Sequence, residues 1–541
     1  MKKLLCVIFI LFSHIYFGFA QNMKKPKLVV GIVVDQMKYE YLHKFNERYT
    51  EGGFKRLMDK GFVMKNAHYN YIPTYTGPGH SSVYTGTTPV THGIIANNWY
   101  VRELDKSIYC ASDSTVTGIG GTPQKGEISP RNLLTTTITD ELRLSTNRRS
   151  KVVGIALKDR GAALPAGHLG DAYWYDGKSG EFMTSTYYGE ELPDWVQKFN
   201  KKNYPQKYLS KDWEPLYNVK TYTQSIEDDN DFEAPFIGRE TTDFPYDLKD
   251  LQENNGGLGL ISSTPFGNDL TLDLAYAALE GEDLGKGDET DFLAVSFSST
   301  DYVGHRFGPT SIELEDTYLR LDKGLGKFFD YLDKEFGKDG YLVFLTADHA
   351  VADVVNYMKS VEIPAGSLNS KFVITQLKGF MNQNYGEGKW VLNFSNGQVF
   401  LNRKLIKENG LELTKVQREV ADFMLRFDGI KEAYTASDMM SHEYTHGRAH
   451  LLQMGFNHKS SGDVLLILEP AWLVNSSRGT THGTGYKYDT HVPILFYGWN
   501  VRAGSSTRYC TITDIAPTLS MLLNIRIPNG ASGEPILEIL D

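Results

Sequence analysis

Short continuous runs of apolar residues recur along the chain, and several of them end at a polar residue. The run at 28–34 stops at Asp35, and the run at 152–157 stops at Lys158. Such runs, without alternation of polar residues, are typical of strands that are covered on both faces, as in a parallel sheet. We therefore predict buried strands at 28–34, 152–157, 292–297, 341–345, 464–468 and 492–497.

Helical patterns lie between these predicted strands. Over Ile312 to Phe336 apolar residues repeat at helical spacing, and Gly337 follows as a stop signal. The alternation of strands and helices predicts an α/β fold with a doubly wound, mostly parallel sheet. In such sheets ligands bind outside the carboxyl ends of the strands. The polar residues that follow the predicted strands at that edge are Asp35, Lys158, Asp301 and Asp348.

Two long stretches do not follow this alternation. One runs over about 161–291 and is rich in aromatic residues, Asn and Gly, and the other runs over about 356–462. We interpret both as insertions that cover or flank the site within one catalytic domain at 21–541, rather than as separately folding domains. The sequence contains no internal repeat and no low-complexity linker.

The first twenty residues have the pattern of a secretory signal peptide. Two lysines precede an apolar stretch, and small residues within 18–20 precede a predicted cut before Gln21. An N-terminal membrane anchor is the alternative, but the apolar stretch is short and is interrupted at Ser13. We predict a periplasmic or secreted protein without a stable membrane anchor.

Composition narrows the possible partners. The chain has 541 residues, a formal charge of −10 and a mean hydropathy of −0.34. No stripe of Lys and Arg is present, so we do not expect nucleic-acid binding. The acidic surface would repel distant anions, so if the substrate is a phosphate, the attraction must come from the site itself, for example from metal ions. Outside the predicted signal peptide the chain has Cys110 and Cys510, for which a disulfide and two buried thiols both stay open.

Acids and histidines cluster at spacings that suit metal binding. The clusters are Asp301 with His305, Asp348 with His349, and His482 in a Gly-containing loop, with Asp35 as a further acid. Nitrogen and carboxylate ligands without thiolates suit Zn²⁺ in a catalytic site. Because these ligands are too many for one four-coordinate ion, the pattern predicts two metal ions.

These clusters belong to an ordered series of motifs. The series comprises Val33-Val34-Asp35, Thr76-Gly77-Pro78-Gly79-His80, Asp301-Tyr302-Val303-Gly304-His305, Thr346-Ala347-Asp348-His349, His482-Gly483-Thr484 and Asp514-Ile515-Ala516-Pro517-Thr518-Leu519. In identity and order the motifs resemble the alkaline phosphatase superfamily, and within it the bacterial PafA-type alkaline phosphatases. The resemblance extends over most of the chain after the predicted signal peptide.

The resemblance implies zinc-dependent hydrolysis of phosphate monoesters, with broad specificity, through a phosphorylated Thr76. It implies that one zinc is held by Asp301, His305 and His482, and the other by Asp35, Asp348, His349 and the nucleophile. Three further residues match those that contact the phosphoryl group in the monoesterase branch, namely Asn97, Lys158 and Arg160. Metal coordination fits this role of Thr76, because it lowers the pKa of a hydroxyl. A helix that starts at Thr76 would also direct N–H groups at the phosphate.

Two other functions stay open. A nucleotide pyrophosphatase/phosphodiesterase of the same superfamily shares the metals and the threonine, but Lys158 and Arg160 complement a dianionic monoester better than a diester. A catalytically inactive exported binding protein is suggested by the aromatic-rich insertion, although the complete ligand set argues against it. We predict small-molecule phosphate monoesters as the partners and leave the oligomeric state open.

Overall fold

The structure is a computed structural model that describes residues 25–476 and 478–540. The predicted signal peptide at 1–20 lies outside the described residues. None of the helices in the described part of the chain is both long and apolar enough to cross a membrane.

A ten-stranded sheet forms the centre of the described chain. Its strands, numbered in chain order, are β1 (Leu28–Val34), β2 (Phe62–Met64), β3 (Gly118–Ile119), β4 (Val152–Ala156), β5 (Asp171–Asp176), β6 (Glu181–Ser185), β7 (Asp291–Phe297), β8 (Tyr341–Thr346), β9 (Ile494–Gly498) and β10 (Gly504–Ser506). Their order across the sheet is β10-β2-β9-β8-β1-β7-β4-β5-β6-β3.

The middle of this sheet is parallel. Strands β8, β1, β7, β4 and β5 run in one direction, whereas β9 and β6 pair antiparallel at either side. Every residue of β1, β4, β7 and β8 is buried, which is why these strands appear in the sequence as uninterrupted apolar runs. The predicted α/β fold with a mostly parallel sheet is confirmed.

Helices cover the sheet and link its strands. The predicted helix at Ile312–Phe336 is confirmed with the same bounds, and Gly337 follows it with a φ of 73°. The α-helices are Tyr41–Lys44, Phe54–Lys60, Thr76–Thr85, Pro89–His92, Ile138–Ser145, Asp159–Ala166, Asp194–Lys201, Tyr204–Leu209, Leu248–Gln252, Phe266–Gly281, Ser299–Phe307, Ile312–Phe336, Val355–Ser360, Ser370–Tyr385, Arg403–Glu408, Leu413–Met424, Ala436–Ser441, Gly447–Gly455, Lys487–Thr490 and Ile515–Leu523. The 3₁₀ helices are Asn46–Arg48, Arg102–Leu104, Pro123–Gly126, Val219–Thr221, Gly257–Ser263, Ile512–Asp514 and Leu537–Ile539.

The stretch at 161–291 departs from the interpretation as an insertion at its start. Helix Asp159–Ala166 connects β4 to the parallel strand β5, and β6 then pairs with β5. The alternation of strand and helix therefore continues to about residue 185. Strand β5 was not predicted because it differs in composition from the aliphatic runs. Its aromatic residues, such as Tyr173 and Trp174, pack in the core.

The stretch at 356–462 carries a smaller antiparallel sheet with an apolar core of its own. The strands of this sheet, in spatial order, are Val391–Ser395, Gln398–Leu401, Val464–Leu468 and Ile430–Thr435. The predicted strand at 464–468 is confirmed. It belongs to this smaller sheet, whereas the prediction had grouped it with the strands of the parallel sheet. A five-residue apolar run indicates burial and does not identify the sheet that buries it. That the stretch does not fold separately stays a prediction.

Three two-stranded pairings complete the strands. They join Gly366–Leu368 with Trp472–Val474, Ala67–His68 with Cys510–Thr511, and Asn98–Val101 with Lys106–Tyr109. The cysteines at 110 and 510 are both buried and free in the described chain, which favours two thiols over a disulfide.

Candidate active site

The predicted site residues meet at the carboxyl edge of the parallel strands. Strand β1 lies between β8 and β7, with Val33 opposite Thr346 and Val34 opposite Phe297. The residues that follow these neighbouring strands are therefore brought together, as the sequence predicted. The acidic residues meet because the strands that precede them are neighbours in the sheet. The pattern of apolar runs does not by itself predict this strand order.

Three of the residues form what we call the inner group: Asp35, Asp348 and His349. All three are completely buried. His349 Nε2 lies 3.5 Å from Asp35 Oδ1 and 3.5 Å from Asp348 Oδ2. The carboxylate atoms Asp35 Oδ1 and Asp348 Oδ2 have no hydrogen-bond partner, although they are buried. Buried carboxylate oxygens without a partner are unstable unless a cation binds them.

Three others form the outer group: Asp301, His305 and His482. Their ligating atoms lie within 4.8 Å of one another, and Asp301 is also within that distance of Asp35 and His349. Asp301 and His305 share one face of helix Ser299–Phe307, with Nε2 3.1 Å from Oδ1. The His305 side chain is 34% exposed, so the outer group borders solvent.

The three histidines are oriented for metal binding. Each Nδ1 is hydrogen-bonded to a backbone carbonyl, at distances of 2.6–3.0 Å. The pairs are His305 with Thr480, His349 with Ala350, and His482 with Thr74. An imidazole that donates through Nδ1 presents its lone pair at Nε2, and these Nε2 atoms face the carboxylates. Burial lowers the pKa of His482 to about 3, which keeps that ring neutral.

The three carboxylates repel one another. Burial and the charge of Asp301 raise the pKa of Asp35, and burial and the charge of Asp35 raise the pKa of Asp348. Burial opposes ionisation of Asp301 too, but His305 and Lys158 lower its pKa well below the ordinary value. Positive charge must therefore be supplied here, and nitrogen and carboxylate donors without thiolates fit Zn²⁺.

Thr76 begins helix Thr76–Thr85 and points at the inner group. Its Oγ1 lies 3.5 Å from His349 Nε2 and accepts a hydrogen bond from Arg160 Nη2 at 3.4 Å. The helix approaches the strand end that carries Asp348 closely, because a Cβ atom at Gly79 would lie 2.1 Å from the Asp348 carbonyl oxygen. The glycine after Thr76-Gly77-Pro78 is thus required for this approach.

Asn97 supports the start of that helix. Its Oδ1 accepts a hydrogen bond of 2.7 Å from the Gly77 N–H, and this bond does not use its Nδ2 group. Since Gly77 is engaged and Pro78 has no N–H, the helix start offers an anion fewer backbone donors than the sequence analysis assumed. Side chains must supply most of the hydrogen bonds to a phosphoryl group.

Lys158 is paired with two of the predicted metal ligands. Its Nζ donates to Asp35 Oδ2 at 2.6 Å and to Asp301 Oδ2 at 2.5 Å. The reason is electrostatic: an ammonium group between two buried carboxylates gains two charge-assisted hydrogen bonds. Divalent cations held by the same carboxylates would compete with it. Arg160 lies nearer to its predicted place, beside Thr76 and Tyr109.

Sequence reasoning missed two residues that hold the ligands. Gln36 donates through Nε2 to Asp301 Oδ1 at 2.7 Å and through its backbone N–H to Asp348 Oδ1 at 3.1 Å. Asp489, which is fully buried, accepts hydrogen bonds from Gly483 and Thr484, next to His482. The proximity of Asp489 to the His482 loop in sequence was its one signal, and Gln36 had only its place after Asp35.

A cavity of about 290 Å³ adjoins the outer group. Tyr75, His482 and Gly483 line one side of it, and residues of the second insertion, including Leu368 and Phe394, line the other. The second insertion thus borders the site, with a largely apolar surface.

A family model described as type I phosphodiesterase / nucleotide pyrophosphatase matches residues 29–493. The chain belongs to this family. The alkaline phosphatase PhoV of Synechococcus elongatus is 45% identical over 525 residues, which cover 96% of this chain and 94% of the relative. A protein of Myroides odoratus named a calcium-transporting ATPase is 44% identical over 535 residues, or 97% of both chains.

The alkaline phosphatase PafA of Elizabethkingia meningoseptica is 45% identical over 525 residues, or 95% of each chain. The crystal structure of wild-type PafA superposes with a TM-score of 0.92, covering 96% of this chain and 99% of PafA. The resemblance to the alkaline phosphatase superfamily and its PafA-type members is confirmed. This family member is an enzyme of the alkaline phosphatase type.

Proposed function

We propose that this phosphatase hydrolyses phosphate monoesters at two zinc ions through a phosphothreonine at Thr76. The observation that carries the proposal is the position of the Thr76 hydroxyl, between His349 of the inner group and the Arg160 guanidinium. The inner group, with Thr76, would hold one zinc and the outer group the other. Zn²⁺ bound there would lower the pKa of a coordinated hydroxyl and stabilise charge on a leaving oxygen.

The remaining chemistry belongs to the chain's own residues. Thr76 Oγ1 forms a bond to phosphorus while the ester P–O bond breaks and the alcohol leaves. Water then cleaves the phosphothreonine and releases inorganic phosphate. Arg160 and the Asn97 amide would donate to the phosphoryl oxygens.

Lys158 is proposed to join these donors when its carboxylate partners bind metal. Asp35 and Asp301 would then bind the cations through their oxygens. The Lys158 ammonium would lose these partners and would bind the negatively charged phosphoryl group instead. Its side chain is nearly fully buried and its Nζ lies 5.0 Å from the centre of the Tyr302 ring, so the available space restricts it to the site. Lys158 and Arg160 together favour a dianionic monoester.

Phosphodiester hydrolysis is the second candidate, since the matching family model carries that description. The two activities are separated by kcat/KM for p-nitrophenyl phosphate and bis-p-nitrophenyl phosphate, measured with zinc and after chelation. We expect a large monoester preference that disappears with the metal. A diester preference would transfer the chain to the second candidate, and zinc binding without turnover of either ester would favour an inactive binding protein.

Lys158→Ala and Arg160→Ala sharpen this comparison. Each removes a charge-assisted contact of roughly 1.5–3 kcal/mol, so monoester kcat/KM should fall at least about tenfold. Diester hydrolysis should fall less, because a diester carries one negative charge fewer. Equal losses on both esters would contradict the selection of monoesters by these cations.

A further inference from the structure

A second cluster of carboxylates lies in the loop between Tyr222 and Tyr246, apart from the inner and outer groups. The loop encloses a polar cavity of about 200 Å³, which we call the acidic cavity. Its lining residues are Asp229, Asn230, Asp231, Glu233, Pro235, Glu240, Thr242 and Arg478. Apart from Arg478 and Pro235, the side chains that line it offer oxygen ligands, and none is His or Cys.

Two side chains that line the acidic cavity are buried without a partner for one oxygen. Glu233 is 1% exposed and Thr242 is 2% exposed, yet Glu233 Oε2 and Thr242 Oγ1 have no hydrogen-bond partner. Two nearby carboxylates repeat the pattern, because Asp228 Oδ1 and the fully buried Glu313 Oε2 also lack partners. Buried polar oxygens are nearly always bonded, so this concentration indicates a missing partner for the group.

The charges point to a cation as that partner. Burial, together with the charges of Asp228 and Asp229, raises the pKa of Glu233 to about 8. The pKa of Glu313 is raised well above its ordinary value by burial and by Glu233. The guanidinium at the cavity does not neutralise them, because Arg478 Nη2 is bonded at 2.7 Å to the exposed Asp231.

We propose that the acidic cavity binds a calcium ion, with oxygens of Glu233, Thr242 and Asp228 as ligands and Glu313 behind them. A site of carboxylate and hydroxyl oxygens without nitrogen or sulfur suits a hard cation rather than zinc. Ca²⁺ takes six to eight oxygen ligands and can complete its shell with backbone carbonyls and water.

The loop that surrounds the acidic cavity is hydrogen-bonded to segments of the outer group, so a bound ion would affect that group. The backbone N–H of Gly479 donates to Phe232 O at 2.8 Å, and that of Ala234 donates to Arg306 O at 2.9 Å. These bonds attach the loop to the two segments that carry His305 and His482. Calcium that fixes the loop would therefore stabilise the protein and hold the outer group in place.

The test uses the full-length enzyme at saturating zinc, with Ca²⁺ titrated into a buffer that has been freed of calcium beforehand. We expect saturating Ca²⁺ to raise the melting temperature by at least about 3 °C. Tb³⁺ should bind in competition with Ca²⁺ and show sensitised luminescence, because Tyr246 donates a hydrogen bond of 2.5 Å to Glu313. Glu233→Gln should weaken Ca²⁺ binding at least tenfold, whereas the same change at the exposed Glu191 should leave it within twofold.

Either of two results would overturn the proposal. One is a wild-type enzyme whose melting temperature does not respond to Ca²⁺ and which binds no Tb³⁺ displaceable by it. The other is a Glu233→Gln variant with an unchanged Ca²⁺ response, since Glu233 and Glu313 would then be neutral acids that need no ion. If Glu233→Gln does not fold, Asp228→Asn decides, because Asp228 is partly exposed and its loss removes a charge at the rim.

Discussion

The inner and outer groups use similar ligands but differ in how the fold holds them. Asp35, Asp348 and His349 follow β1 and β8, in the middle of the sheet, and are fully buried. Asp301 and His305 lie on a helix and His482 on a loop, and the His305 side chain is 34% exposed. The sheet thus fixes the inner group, whereas the outer group depends on hydrogen bonds from neighbouring side chains. We expect the inner group to position the nucleophile Thr76. We expect zinc binding at the outer group to be weakened more easily by substitutions.

The strongest test of this division is Thr76→Ala. The variant should lose at least roughly 10³-fold in kcat/KM, because it lacks the hydroxyl that lies 3.5 Å from His349 Nε2 of the inner group. Both metal groups should stay loaded, since their acid and histidine ligands are unchanged. The measurement is p-nitrophenyl phosphate hydrolysis together with the zinc content per chain.

Thr76→Ser is the matched control, because it keeps the hydroxyl and should retain activity within about tenfold of the wild type. An alanine variant with near-normal turnover would remove Thr76 from the role of nucleophile. An alanine variant that has lost one zinc would instead show that Thr76 is needed to retain the metal, and the inner group would be less self-sufficient than its burial suggests.

The difference between the groups also explains what the sequence could predict. The inner ligands directly follow apolar runs, so Asp35 and Asp348 were recognisable as strand-end residues, and the order of β8, β1 and β7 brought them together. The supports of the outer group were not recognisable. Gln36 acts through a hydrogen bond to Asp301, which is far away in sequence. Asp489 acts through hydrogen bonds to the nearby backbone of Gly483 and Thr484, and an acid at that spacing does not by itself indicate such a role. The contacts of Lys158 with Asp35 and Asp301 were not recognisable either, because they depend on the charges that the fold brings around it.

A change at Asp489 should affect the outer group alone. Its Oδ2 accepts three hydrogen bonds, from Gly483 N at 3.1 Å, Thr484 N at 2.7 Å and Thr484 Oγ1 at 2.6 Å. Asp489→Ala releases this loop, so zinc affinity at the outer group should fall about 10–100-fold. Activity measured against free zinc should shift to higher concentration and recover at saturation.

The conservative variant separates positioning from simple damage to the fold. Asp489→Asn keeps a carbonyl oxygen that can accept from the same groups, so it should restore most of the zinc affinity. A loss that saturating zinc does not rescue, in both variants alike, would mean that Asp489 is required for folding. An unchanged zinc affinity in the alanine variant would mean that the bond from His482 Nδ1 to the Thr74 carbonyl holds the loop without help.

Gln36 contacts both groups and gives the smallest and sharpest test. Its side chain reaches Asp301 of the outer group, and its backbone N–H reaches Asp348 of the inner group. Its φ is 67°, a left-handed conformation that glycine adopts more easily than other residues.

Gln36→Ala and Gln36→Gly both remove the bond to Asp301, which is worth roughly 1.5–3 kcal/mol, and should weaken outer zinc binding about tenfold. The glycine variant should melt about 1 °C higher than the alanine variant, because it relieves the left-handed backbone. Equal zinc affinity in the two variants would mean that only the side-chain bond to Asp301 matters for zinc binding. A difference between them would mean that the backbone conformation of Gln36, and with it the bond to Asp348, also affects zinc binding.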